Sequence, residues 1–129
     1  MEAAELRIGN IVFFHDTEMG EITYTHEEII RGYEIQALEV DGYIRDVEVE
    51  PIPLTEEWLL KFGFKQDSYS YIKGVHQKIF SGVMKFDFNE TLKDWEFSVG
   101  YITDITRILY VHQLQNLYFA LTGEELTEE

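Results

Sequence analysis

Apolar residues recur along this chain at two spacings, and each spacing predicts a different element. Over most of the length they alternate with polar residues, the period of a half-buried strand. Near the C-terminal end they switch to i, i+3, i+4, i+7, the period of a helix face. Between two strand-like regions lies Pro51-Ile52-Pro53-Leu54-Thr55-Glu56-Glu57-Trp58-Leu59-Leu60-Lys61-Phe62-Gly63-Phe64. Its prolines fix φ, remove two backbone donors and end the preceding strand. Thr55 suits an N-cap, and Glu56 and Glu57 suit the positive end of the helix dipole. Leu54 and Leu59 have the spacing of a hydrophobic staple, and Gly63 suits a left-handed stop after which Phe64 folds back. A helix over 55–62 follows. It is too short to stand alone, so Trp58, Leu59, Phe62 and Phe64 are expected to form a scaffold joint packed against the rest of the molecule.

Before this joint, Gly9-Asn10 reads as a turn and Ile11 to Phe14 as a strand. Asp16 to Gly20 reads as a loop, and Glu21 to Thr25 alternates with Ile22 and Tyr24 on one side. His26 to Gly32 fits either one helical turn or an irregular loop. Asp41-Gly42 is a preferred type I′ pair and predicts a hairpin joining Tyr33–Val40 to Tyr43–Glu50. Leu38, Val40, Tyr43, Val47 and Val49 then share one face, while the other face is mixed. Residues 1–54 therefore suggest a small SH3-like antiparallel barrel or a strongly curved sheet.

After the joint, Tyr69, Tyr71 and Lys73 alternate with Ser70 and Ile72. Met84, Phe86 and Phe88 face one way, and after a loop over 89–94 so do Trp95, Phe97 and Val99, which predicts a hairpin. Ile102 to Leu109 predicts one more strand. Tyr110, Val111, Leu114, Leu117, Tyr118 and Leu121 predict a helix over 111–121, stopped by Gly123. Glu124 to Glu129 reads as a frayed acidic tail. The fold class is α+β: a subdomain over 1–54, and one over 55–129 with strands between about 69 and 109, the two sharing a core. In the simplest arrangement the 55–62 helix packs near the 111–121 helix and ties the two regions together.

The last helix carries no formal charge from Ile108 to Thr122 if His112 is neutral, in a chain that is 27% charged. His112, Gln115, Asn116 and Phe119 lie opposite its apolar face. They form a candidate interaction face, covered by the N-terminal region or by another chain.

Composition narrows the function classes. Hydrophobic residues make up 45% of the 129, with 9 Phe, 8 Tyr and 2 Trp, enough for a packed core. A net charge of −15 disfavours direct binding to nucleic acid or to an anionic membrane surface. There is no cysteine, which removes disulfides and thiolate chemistry and fits a reducing compartment. The first residues are acidic where a signal peptide is basic, and no apolar run reaches membrane-spanning length. The chain is expected to be cytoplasmic.

No catalytic constellation emerges. His15, His26, His76 and His112 lack metal-ligand spacing to one another, and His26-Glu27-Glu28 lacks the second histidine of a zincin helix. Phosphate-binding and nucleophile-elbow motifs are missing. No cofactor is expected.

Leu6-Arg7-Ile8-Gly9-Asn10, Pro51 to Phe64 and Val111 to Leu126 resemble blocks of a family of small uncharacterised proteins from Bacteroidetes genomes and their phages or integrated elements. The resemblance is close in those blocks and loose between them. The family has no assigned activity, so what it implies is a bacterial or phage intracellular origin, with no functional residues carried over. The expected function is a non-enzymatic accessory protein that binds another protein. The alternatives are an acidic nucleic-acid mimic that occupies a DNA-binding protein, and a small-ligand or sugar binder using a cleft between the subdomains.

Overall fold

The structure, a computed structural model, describes residues 1–76, 81–99 and 102–129. The chain is α+β and divides into two units, Met1–Ile52 and Pro53–Glu129.

In the first unit a short 3-10 turn, Ala3–Glu5, leads to strand β1 (Ile11–Glu18), strand β2 (Glu21–Ile29), helix α1 (Gly32–Val40) and strand β3 (Val47–Glu50). The strands form an open antiparallel sheet of order β2-β1-β3, so the barrel alternative is not realised. The expected loop over 16–20 is mostly strand. The reversal is confined to Met19 and Gly20, both at positive φ (54° and 82°), as a two-residue turn matching the sheet twist requires. The undecided stretch over 26–32 continues β2 as far as Ile29 and then enters α1.

The expected hairpin around Asp41-Gly42 does not form; its first arm, Tyr33–Val40, lies in helix α1. Glu34, Gln36, Ala37, Leu38 and Glu39 are good to moderate helix formers, and the tertiary setting rewards them. As a helix, Ile35 and Leu38 lie one turn apart and pack on the core of Leu6, Val12, Phe14 and Ile30. Glu34 is buried, its carboxylate accepting from the Arg31 backbone N–H at 3.0 Å and from Arg31 Nε at 2.9 Å. Those bonds make burial of the charge tolerable. Asp41-Gly42 closes the helix: the Gly42 N–H donates to the Leu38 carbonyl with Gly42 at φ +80°.

The second unit contains helix α2 (Glu56–Lys61), strands β4 (Lys65–Asp67), β5 (Ser70–His76), β6 (Ser81–Asn89), β7 (Asp94–Val99) and β8 (Ile102–Ile108), and helix α3 (Val111–Thr122). Its strands form an antiparallel meander, β4-β5-β6-β7-β8. Thr55 caps α2 by accepting from the Trp58 N–H at 3.4 Å, and Gly63 (φ +86°) ends the helix, so that the Phe64 N–H donates to the Leu59 carbonyl. The β6–β7 register pairs Met84 with Val99, Phe86 with Phe97 and Phe88 with Trp95. Phe64 meets Phe86 edge-on at 5.4 Å, and Phe86 meets Phe97 at 5.1 Å, so an aromatic row runs through this core. The segments entering the two helices also pair, with a Pro53–Tyr110 bridge and a Leu54 N–H to Leu109 carbonyl bond.

Residues 124–129 are not a free tail. Leu126 is buried, the Glu129 N–H donates to the Lys61 carbonyl at 2.7 Å, and Lys73 Nζ pairs with the Glu129 carboxylate at 3.1 Å. One apolar residue amid the glutamates anchors the segment.

Candidate functional site

Two turns and a helix start build a cleft within the second unit. The β4–β5 reversal places Ser68 at φ +57° and leaves Tyr69 almost wholly exposed. The β6–β7 reversal is organised by Asn89, whose Oδ1 accepts from the N–H groups of Thr91 (3.0 Å) and Leu92 (2.9 Å), and this fixes Glu90 beside Phe88. Glu56 comes from the first turn of α2. Together Glu56, Tyr69, Tyr71, Phe88, Glu90 and Trp95 line a cleft of about 370 Å³, with Gln66 and Ser68 at its edge.

The aromatic members hold one another in place. Trp95 meets Tyr71 edge-on at 5.7 Å and Phe88 edge-on at 5.0 Å, and its indole N–H donates to the Leu54 carbonyl. Burial pushes the Tyr71 hydroxyl above its ordinary pKa, and its hydrogen bond to Glu56 adds to the shift. Glu90 pairs with Lys93 at 3.2 Å, but both are highly exposed, so the pair is weak and readily exchanged. Aromatic rings with two carboxylates suit a cation: the rings offer negative faces and the carboxylates offer charge.

No protein-family model, curated protein or solved structure matches this chain.

The residues singled out from sequence lie elsewhere. Trp58, Leu59, Phe62 and Phe64 are all buried, with Trp58 and Phe62 rings 5.6 Å apart. On α3, His112 and Gln115 are buried, Asn116 is half-buried and Phe119 is partly exposed, so the four do not present one open face. His112 stacks on Tyr110 at 5.9 Å. His15 bridges three strands: Nδ1 meets Thr25 Oγ1 at 2.6 Å and Nε2 meets Glu50 Oε2 at 2.5 Å. His26 stacks on Tyr24 and reaches Glu28 at 3.2 Å. The His76 side chain lies outside the described residues. Among the described residues no group of three or more His, Asp or Glu could hold a metal ion, and no helix is long and apolar enough to cross a membrane.

Sequence reasoning set the row Met84-Phe86-Phe88 against Trp95-Phe97-Val99 but missed the cleft. Tyr71 and Trp95 lie on strands separated by β6, and Glu56 lies on α2 outside the sheet, so only the tertiary fold joins them. The usable signal was an exposed tyrosine, Tyr69, in a polar turn flanked by alternating aromatics.

Proposed function

We propose that this is a non-enzymatic, intracellular accessory protein of bacterial or phage mobile-element origin, and that its C-terminal unit receives a cationic side chain of a partner protein. The observation that carries the reading is the convergence of Tyr69, Tyr71, Phe88 and Trp95 with Glu56 and Glu90 on one cleft. The excess of acidic residues supports it, because a net charge of −15 draws basic partners and raises their association rate. Trp95 is nearly fully buried, which favours insertion of a slim side chain beside it over flat stacking of a sugar ring.

The test is a titration of isotope-labelled protein with short peptides carrying arginine, lysine or trimethyllysine, and with a glutamate peptide as control, followed at the Trp95 indole resonance. Saturable shifts with the cationic peptides, weakened severalfold by Tyr69→Ala or Glu90→Lys, support the reading. Equal shifts with the glutamate peptide, or no shift at Trp95, overturn it. Free tetramethylammonium in a parallel titration separates a small cationic ligand from a peptide.

A further inference from the structure

The N-terminal unit carries a second surface, independent of the C-terminal cleft. Strand β3 pairs with β1 through Phe13–Glu50, Phe14–Val49, His15–Glu48 and Asp16–Val47; no named strand among the described residues pairs with its other edge, which meets only Ile44 in a bridge to Val47, the Val47 N–H donating to the Ile44 carbonyl at 3.2 Å. An edge strand leaves alternate backbone N–H and C=O groups facing outward; with the Val47 N–H taken by Ile44 and Pro51 lacking one, the outward N–H on this edge is that of Val49. This edge borders a cleft of about 310 Å³ whose walls include Leu38, Ile44, Val47 and Val49, with Glu48 and Glu50 beside them. Val47 and Val49 are half-buried and pack toward the core, while Glu48 and Glu50 are exposed on the opposite face.

We propose that this edge accepts an extended segment of a partner protein as an additional antiparallel strand, and that the segment alternates aliphatic residues with lysine or arginine. Added strands gain affinity from main-chain bonds and specificity from alternate side chains. The aliphatic residues of such a segment meet Leu38, Ile44, Val47 and Val49. Its basic residues meet the other face, where Glu50 stands in one cross-strand row with Phe13 and Glu27, and Glu48 in the next row with His15 and Thr25. The three strands of this sheet contain no lysine or arginine; on this face His15 meets Glu50, and Glu27 and Glu48 have no lysine or arginine within the strands to pair with. The same charge repels a second copy of the edge, which argues for a basic partner over self-pairing. The Thr25–His15–Glu50 bridge spans all three strands, so the edge is already ordered and little is lost in ordering it on binding.

The test uses the full chain and three short synthetic peptides: alternating valine and lysine, alternating valine and glutamate, and the valine–lysine peptide with its backbone N-methylated along one edge. The expected result is saturable binding of the valine–lysine peptide, new hydrogen-exchange protection at Val49, loss of binding on N-methylation, and at least tenfold weaker binding by Glu48→Lys. Glu48 is exposed, and an unchanged amide spectrum of the variant shows that it folds. Equal binding of the glutamate peptide overturns the proposal, as does indifference to N-methylation. Protection at Tyr69 to Trp95 in place of β3 also overturns it, as does sedimentation showing that the chain pairs with itself through this edge. Failure here leaves the Trp95 titration of the other unit unaffected, so the two readings fail separately.

Discussion

The indole Nε1 of Trp95 donates to the main-chain carbonyl of Leu54 at 2.9 Å, joining residues 41 apart in sequence. One partner stands on β7 and the other in the extended segment just before α2. Both are buried, so the bond fixes the floor of the aromatic cleft against the helix that supplies Glu56.

Trp95→Phe keeps an aromatic ring but leaves the Leu54 carbonyl without this donor. The expected cost is about 1–3 kcal/mol, that of a buried acceptor left unsatisfied. Urea denaturation should show a lower midpoint with an unchanged slope.

Trp58 sits 5.6 Å from Phe62 with Lys61 Nζ over its ring at 4.4 Å, and is nearly fully buried. Trp58→Ala is expected to cost about 3–5 kcal/mol through the cavity it leaves. Leu60→Ala, on the half-exposed side of the same helix, should stay within about 0.5 kcal/mol. Equal losses by denaturant titration would contradict the packing described for α2.

Burial raises the hydroxyl pKa of Tyr71, reinforced by Glu56, and burial raises that of Tyr118, reinforced by Glu124 and Glu129. As pH rises past about 10, the unfolded tyrosines lose their protons before the folded ones do. The unfolded state then binds fewer protons, so stability falls with pH, while below that range these two groups contribute no slope. Melting temperatures followed from neutral to alkaline pH should decline above about pH 10, and less steeply in Tyr71→Phe.

Glu34 accepts two hydrogen bonds from Arg31, and this pairing holds the Arg31 pKa above its ordinary value. Glu34→Ala removes the acceptor at the start of α1 and is expected to cost about 1–2 kcal/mol. Amide exchange should accelerate along Gly32–Val40, whereas Glu34→Gln, which retains an oxygen acceptor, should lose less.

Removing residues 124–129 uncovers the site of Leu126 and deletes the Glu129 bond to Lys61. The expected loss is about 1.5–3 kcal/mol, the burial energy of one leucine. A truncated chain with unchanged thermal stability would restore the picture of a loose tail.

What the sequence determined by itself was local. Thr55, Gly63 and the leucines between them delimit α2, because caps and stops act within one turn. The rows Met84-Phe86-Phe88 and Trp95-Phe97-Val99 pair as their alternation predicts, because a period of two admits one buried face. Gly123, at φ +74°, ends α3 as its freedom at positive φ suggests. Tertiary structure decided the rest. Tyr33–Val40 reads from the sequence as a strand of the Asp41-Gly42 hairpin; docking of Ile35 and Leu38 on Val12, Phe14 and Ile30 makes it helix instead. The cleft at Tyr69 and Trp95 depends on strand order, and the free edge of β3 depends on which strands the sheet lacks. Periodicity records which face of an element is buried. It does not record what lies against that face, and both proposed binding surfaces are properties of those neighbours.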